Sequence, residues 1–257
     1  MTVVGAASGQ TTWATVAGQL NCRWAMRTDV GQRREINEDS AVAVAPIFAV
    51  ADGMGGHDAG EVASGFVADA LGKLGGTGLS DESVANALRA AVDELVQSGV
   101  DAGSGTTVTG IALRDQDGPQ AIDVFNIGDS RVYLFREGTI VQLTKDHSVV
   151  QELVDSGQLS PDEAEVHPHS NVITRAVGFH DDPVPDTLRL EIEPGDRLLV
   201  CSDGLTKEIT LYGLQHFLTE AETVDDAADA LVNAAIGNGG RDNVTLIVLQ
   251  FDRLEDA

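Results

Sequence analysis

The sequence predicts an α+β fold in which antiparallel sheets are covered by helices, with a flap inserted in the second half of the chain. Strand signals arrive in runs instead of alternating one for one with helices, which argues against a parallel doubly wound sheet. Four strand-like segments follow one another between residues 106 and 143, and helical periodicity is confined to stretches before and after them. At 257 residues and 42% apolar content the chain can bury a sizeable core.

After a leader containing Gly, Ala and Thr, apolar runs at 22–26, 40–45 and 47–51 read as opening strands. Asp58 and Glu61 have capping-box spacing ahead of Val62, Phe66, Val67 and Leu71, so a helix is expected from Asp58 to the Gly75-Gly76 pair. A second helix is expected over 80–98, with Val84, Leu88, Ala91, Val92 and Leu95 on one stripe, acidic residues in the first turn and Gly99 as its stop. Residues 106–113, 121–127, 131–135 and 139–143 read as an antiparallel meander, the last two joined by Glu137-Gly138. From 148 to 184 the pattern breaks into short helical pieces, one opened by Ser160-Pro161 with Glu163 as capping partner. Strands at 187–192, 197–201 and 243–251, with helices at 211–218 and 227–236, complete the chain. The expected organisation is a leader over 1–21 of unknown role, one domain over 22–251 with its flap at about 148–184, and a tail over 252–257.

Forty-one Asp and Glu against sixteen Lys and Arg give a formal charge of −25. Such a surface repels nucleic acid and anionic membranes, so neither is expected as a partner. It would equally repel a phosphorylated substrate unless bound cations reversed the local potential. Cys22 and Cys201 form no disulfide framework, and Cys201 lies in an apolar run where a thiol behaves as a small hydrophobe. No apolar stretch is long enough for a membrane helix, and residues 1–20 lack the basic start of a secretory signal, so a reducing cytoplasm is expected.

Several acids stand where an apolar strand meets a turn. Asp52 and Asp203 each leave the carboxyl end of a strand and are followed by Gly53 and Gly204; Glu38, Asp39 and Asp242 each precede one. In antiparallel sheets those two kinds of end lie side by side, so the oxygens can converge on one edge. Carboxylate and carbonyl oxygens suit Mg²⁺ or Mn²⁺, and a glycine after the acid lets its backbone turn sharply. Either Asp-Gly pair alone is also an ordinary turn.

The segment Arg34-Glu35-Ile36-Asn37-Glu38-Asp39, followed by Val50-Ala51-Asp52-Gly53-Met54-Gly55-Gly56-His57, resembles the type 2C family of metal-dependent serine/threonine protein phosphatases in its bacterial form. The resemblance continues through Ser104-Gly105-Thr106-Thr107, Asn126-Ile127-Gly128-Asp129-Ser130-Arg131, Leu143-Thr144-Lys145-Asp146-His147-Ser148, Ser202-Asp203-Gly204-Leu205 and Arg241-Asp242-Asn243-Val244, spanning roughly 22–251. It implies an α-β-β-α sandwich, two antiparallel sheets between pairs of helices, with metals in a cleft at one end. It also implies phosphoserine/phosphothreonine hydrolysis by direct attack of a metal-activated water, with two tightly held Mn²⁺ or Mg²⁺ ions and a third, weaker one.

By the same resemblance Asp52 matches the bridging carboxylate, Asp203 and Asp242 match ligands of the first metal, and the Gly53 carbonyl serves the second. Glu38 and Asp39 match second-metal positions, in part through water, and Asp146 matches a ligand of the third ion shared with Asp203. Arg34 matches the arginine that grips the substrate phosphate, and its planar donor fork suits that anion. His57 is the nearest candidate general acid, although many eukaryotic members carry His where this chain has Met54. The implied partners are phosphorylated proteins, among them serine/threonine kinases and their substrates, in a signal-transduction role, met by a monomer.

Other readings of the same residues stay open. Gly128-Asp129-Ser130 lacks the glycine a hydrolase nucleophile turn wants, so Asp129 and Ser130 read as structural. His167-Pro168-His169 has no Cys partner and reads as solvated, Arg175 is a substrate contact or an ion-pair partner, and Asp146 alternatively caps the flap helix at Ser148 or Val149. A catalytically silent phosphoprotein-binding module would be favoured by loss of metal ligands, and a divalent-cation sensor would use the same acids but leave Arg34 without a role.

Overall fold

Two six-stranded sheets, each backed by helices, build the sandwich in the computed structural model, which describes residues 1–15, 18–55, 59–99, 103–114, 121–179 and 182–254. The first half holds β1 (Val3–Gly5), β2 (Ser8–Thr15), β3 (Gly18–Asp29), β4 (Ser40–Val44), β5 (Ile47–Ala51), β6 (Gly53–Met54), α1 (Ala59–Gly72) and α2 (Ser83–Ser98). Next come β7 (Gly105–Thr106), β8 (Val108–Leu113), β9 (Ala121–Ile127), β10 (Arg131–Arg136), β11 (Thr139–Gln142), α3 (Val149–Asp155) and α4 (Pro161–Glu165). The chain ends through β12 (Asp186–Glu191), β13 (Arg197–Cys201), α5 (Asp203–Thr206), α6 (Leu211–Glu220), α7 (Val224–Asn238) and β14 (Val244–Arg253).

One sheet has the order β1-β4-β5-β8-β9-β12 and the other β11-β10-β13-β14-β3-β2. All pairings are antiparallel except β1 with β4. Alternation along each strand sorts its side chains between two cores. Phe48 and Val50 of β5, Leu198 and Val200 of β13, and Ile247, Leu249 and Phe251 of β14 share the core between the sheets. Ile47, Ala49 and Ala51 of β5 turn to α1 and α2, while Leu199, Cys201, Leu246 and Val248 turn to α6 and α7. The Trp24 ring lies 5.1 Å from that of Phe48 and bridges the two sheets. Both cysteines are buried and free.

The expected strands at 47–51, 121–127 and 197–201 and the capping box of Ser160 with Glu163 are present. Three features differ. The meander over 106–143 is two hairpins in two sheets: β8 pairs with β9, β10 pairs with β11, and the chain crosses the sandwich at Gly128, whose φ is 112°. Helix α2 starts at Ser83, so Asp81 and Glu82 precede it and its first turn has no acid. The leader is part of both sheets, since Val3–Gly5 pairs with β4 and Ser8–Thr15 pairs with β3. Its small residues let it fit: a Cβ on Gly9 would stand 2.4 Å from the Trp24 indole. The expected cap at Asp58 lies outside the described residues.

Candidate metal centre

Strand pairing brings the acids together. Ser40 is paired with Ala51, so Asp39 and Asp52 lie one residue beyond the same rung. In the other sheet Cys201 pairs with Leu246 and the Ser202 amide donates to the Thr245 carbonyl, which sets Asp203 beside Asp242 and Asn243. A hydrogen bond of 2.9 Å from Ser202 Oγ to Asp39 Oδ2 joins the two sheets at this edge.

The backbone of Asp52 is held by two threonines. Its amide donates to Thr107 Oγ1 (3.0 Å), and its carbonyl accepts from the Thr107 amide and from Thr106 Oγ1, both at 2.9 Å. Gly53 is needed at the next position because an added Cβ would lie 2.3 Å from the Gly60 carbonyl and 2.5 Å from the Glu38 carbonyl. At Gly204 the same atom would stand 1.9 Å from the Asn243 carbonyl, so α5 can press against the start of β14 only without a side chain.

Asn243 fixes the loop before β4. Its Nδ2 donates to the carbonyls of Val30 and Ile36, and its Oδ1 accepts from the Glu38 amide, each at 2.9 Å. That loop carries Arg34, whose Nη2 lies 2.8 Å from Asp242 Oδ1. Asp242 Oδ2 is 3.5 Å from Lys207 Nζ, which also contacts Asp203 Oδ2.

The electrostatics are those of acids crowded away from water. Burial raises Asp39 to about 7, with Ser202 and Thr245 opposing it and Asp203 and Asp242 adding to it. Asp52 is pushed well above the ordinary carboxylate range by desolvation and then by Asp39, Asp203, Asp129 and Asp242. Asp129 is likewise raised to about 7, by burial first and then by Asp203 and Asp146. Burial pulls the Lys207 ammonium down, but Asp203 and Asp242 outweigh it and leave it above its ordinary value.

Asp129, read from the sequence as structural, therefore belongs to the acidic cluster. It stands two residues past the end of β9, the same strand-end position that singled out Asp52 and Asp203. Ser130 is structural, its Oγ 2.8 Å from Thr107 Oγ1. Asp146 does not cap the flap helix, since Ser148 holds that position. Both of its oxygens face Arg131, with Nη2 at 2.6 Å and Nε at 2.9 and 3.1 Å, and Gln142 donates to one of them. Arg175 is an ion-pair partner, bonded to Asp186 and the Val184 carbonyl at 2.6 Å and to His147 at 2.9 Å. His167 and His169 are at the surface, their rings 5.5 Å apart. His57 lies outside the described residues.

The donor set fits a hard divalent cation. It is all oxygen, its carboxylates repel one another, and one oxygen each of Asp39 and Asp203 is buried with no hydrogen-bond partner among the described residues. Among those residues no three His, Cys, Asp or Glu side chains stand at the spacing of a shared ion. Arg34 and Lys207 contact oxygens of Asp242 and Asp203, and Ser202 donates to one oxygen of Asp39. No helix among the described residues is long and apolar enough to cross a membrane.

Comparison with known proteins places the chain in a family. A family model described as protein phosphatase 2C matches residues 32–236. The serine/threonine protein phosphatase PstP of Mycobacterium tuberculosis is 40% identical over 241 residues, covering 89% of this chain and 45% of that protein, so the chain spans about half the length of that relative. Protein phosphatase PhpP of Streptococcus pneumoniae is 38% identical over 244 residues, covering 90% of this chain and 97% of that one. The crystal structure of the catalytic domain of PstP in complex with two manganese ions superposes with a TM-score of 0.81 at 38% identity, covering 91% of this chain and 99% of that one. On the extent of these matches, the chain belongs to the protein phosphatase 2C family of metal-dependent serine/threonine phosphatases.

Proposed function

We propose that the chain hydrolyses phosphoserine and phosphothreonine in proteins at a two-cation carboxylate centre. The observation that carries this is the gathering of Asp39, Asp52, Asp203 and Asp242 at one edge of the sandwich with the Arg34 guanidinium beside them. Asp52 is the residue suited to hold both ions, because its backbone is clamped by Thr106 and Thr107 while its carboxylate is influenced by four other acids. Asp203 and Asp242 would hold one ion, and Glu38, Asp39 and the Gly53 carbonyl the other. Asp129 and Asp203 are the acids nearest a third, which Asp146 would join by giving up part of its pairing with Arg131. When bound, manganese or magnesium would supply the positive charge that activates water at neutral pH and offsets charge on the phosphoryl oxygens.

The chain's own groups do the rest. Arg34, tethered now to Asp242, turns its remaining donors to the substrate phosphate and fixes it in the cleft. Ser202 and Thr245 hold Asp39 in one orientation across the sheets. His57 gives a proton to the departing serine or threonine oxygen. The partners of such an enzyme are phosphorylated proteins, including serine/threonine kinases and their substrates, and the expected setting is a cytoplasmic monomer.

Hydrolysis of an aryl phosphate and of a phosphothreonine peptide tests the proposal. Activity should vanish with a chelator and return with Mn²⁺ or Mg²⁺. Full turnover in chelator, or none with either metal on a folded protein, would overturn it.

A further inference from the structure

Lys207 was not singled out by any motif, yet it occupies the middle of the acidic edge. Its Nζ contacts Asp203 four residues earlier on α5 and lies 3.5 Å from Asp242, and Asp52 and Asp129 both interact with it electrostatically. One ammonium thus serves several acids, while Asp203 Oδ1 stays buried with no hydrogen-bond partner among the described residues. The stem begins at the C-cap of α5 and the side chain is 33% exposed, so the ammonium has a way out to water that leaves the helix intact. Lysine suits reversible occupancy: it is a strongly hydrated point charge on a flexible stem, whereas an arginine fork would hold the carboxylates in a fixed geometry.

We propose that Lys207 is a built-in counter-ion that contends with divalent cations for Asp203 and Asp242, so that metal binding requires its ammonium to swing out of the cluster. The proposal rests on the metal centre described above and adds a residue that sets its affinity. It gives Lys207 two opposed effects. Without metal the ammonium offsets carboxylate repulsion and stabilises the fold; with metal it is a competitor. A lysine that merely braced α5 would have only the first effect, and its loss would weaken metal binding by misplacing Asp203.

Calorimetric titration of Mn²⁺ into wild type, Lys207→Gln and Lys207→Arg, without substrate, separates these cases, together with thermal unfolding in chelator and in saturating Mn²⁺. Lys207→Gln should bind Mn²⁺ at least about tenfold more tightly, about 1.4 kcal/mol. Its melting temperature should fall in chelator and recover to wild type or above in Mn²⁺. Lys207→Arg keeps the charge and should bind no more tightly than wild type. A Lys207→Gln chain that folds only after Mn²⁺ is added is the extreme form of the expected result. Equal or weaker binding by Lys207→Gln, or a chain that stays unfolded in saturating Mn²⁺, would overturn the role of Lys207 and leave the metal centre standing. No binding by any of the three proteins would remove the metal centre as well.

Discussion

Asp242 gives one carboxylate oxygen to Arg34 and the other to Lys207, so the two basic residues nearest the cluster meet on a single acid. Arg34 has the larger freedom, its side chain being 47% exposed against 33% for Lys207, and its Nη2 lies on Asp242. A guanidinium that grips phosphate in both ground and transition state acts mainly on binding. Arg34→Ala is therefore expected to raise KM for a phosphopeptide by about tenfold or more while lowering kcat less, and steady-state kinetics at saturating Mn²⁺ would show it. An unchanged KM would remove the arginine from substrate binding. Strand-end position made Asp52, Asp203, Asp242, Glu38 and Asp39 legible in the sequence, because a carboxylate at a sheet edge has few structural uses. Asp129 obeys the same rule, yet with Arg131 in place of the glycine of a nucleophile turn its segment reads from sequence as structural. Lys207 carried no motif signal, since its place in the cluster depends on α5 forming after Ser202 and on Asp242 arriving from the start of β14.

At the scale of elements, the site is a consequence of register. Alternation fixed which face of each strand is buried, and the antiparallel order then forced the ends carrying acids onto one edge. What alternation could not reveal was sheet membership. Residues 121–135 look like a continuous meander, yet Gly128 at a positive φ lets the chain leave one sheet and enter the other, and nothing in a two-residue period distinguishes a turn from a crossing. The leader escaped notice because small and polar residues carry little strand signal, although β2 covers the edge of β3 along eight residue pairs. Asn243 shows how one side chain unites elements: it joins β14 to the loop that bears Arg34 and Glu38. Asn243→Ala removes three hydrogen bonds at net values near 1 kcal/mol each, so a loss of about 2–3 kcal/mol is expected in urea unfolding. The freed loop should also raise KM, because Arg34 loses its fixed starting point. Unfolding free energy and KM both unchanged would mean that this loop is positioned by other contacts.

For the whole molecule, the raised carboxylates make stability depend on pH in an unusual direction. Asp39 and Asp129 are held near 7 and Asp52 well above the ordinary range, in each case by burial first, against 3.8 for an ordinary aspartate. Between those values the folded state keeps protons that the unfolded chain releases. Unfolding then becomes more favourable as pH rises, and stability falls from about pH 4 until each group has ionised in the folded state. Acids lowered by surface ion pairs, such as Asp186 and Glu208, act in the opposite sense but in a window below their ordinary values of 3.8 and 4.5. His147, lowered from 6.5 by burial, also opposes the trend, as one group against three. The formal charge of −25 adds a general repulsion with the same sign as the buried acids, and about 0.5 M salt screens that surface contribution far more than the buried one. Bound Mn²⁺ prefers the ionised carboxylates, so it competes with protons and should reverse the slope. Thermal unfolding in chelator and high salt should thus show a melting temperature that falls between pH 5 and 8 by several degrees, at about 2–4 °C per kcal/mol for a chain of this size. In saturating Mn²⁺ it should hold level or rise over the same range. A melting temperature in chelator that climbs from pH 5 to 8 at high salt would show that these acids ionise freely in the folded protein, and the crowded carboxylate centre would have to be abandoned.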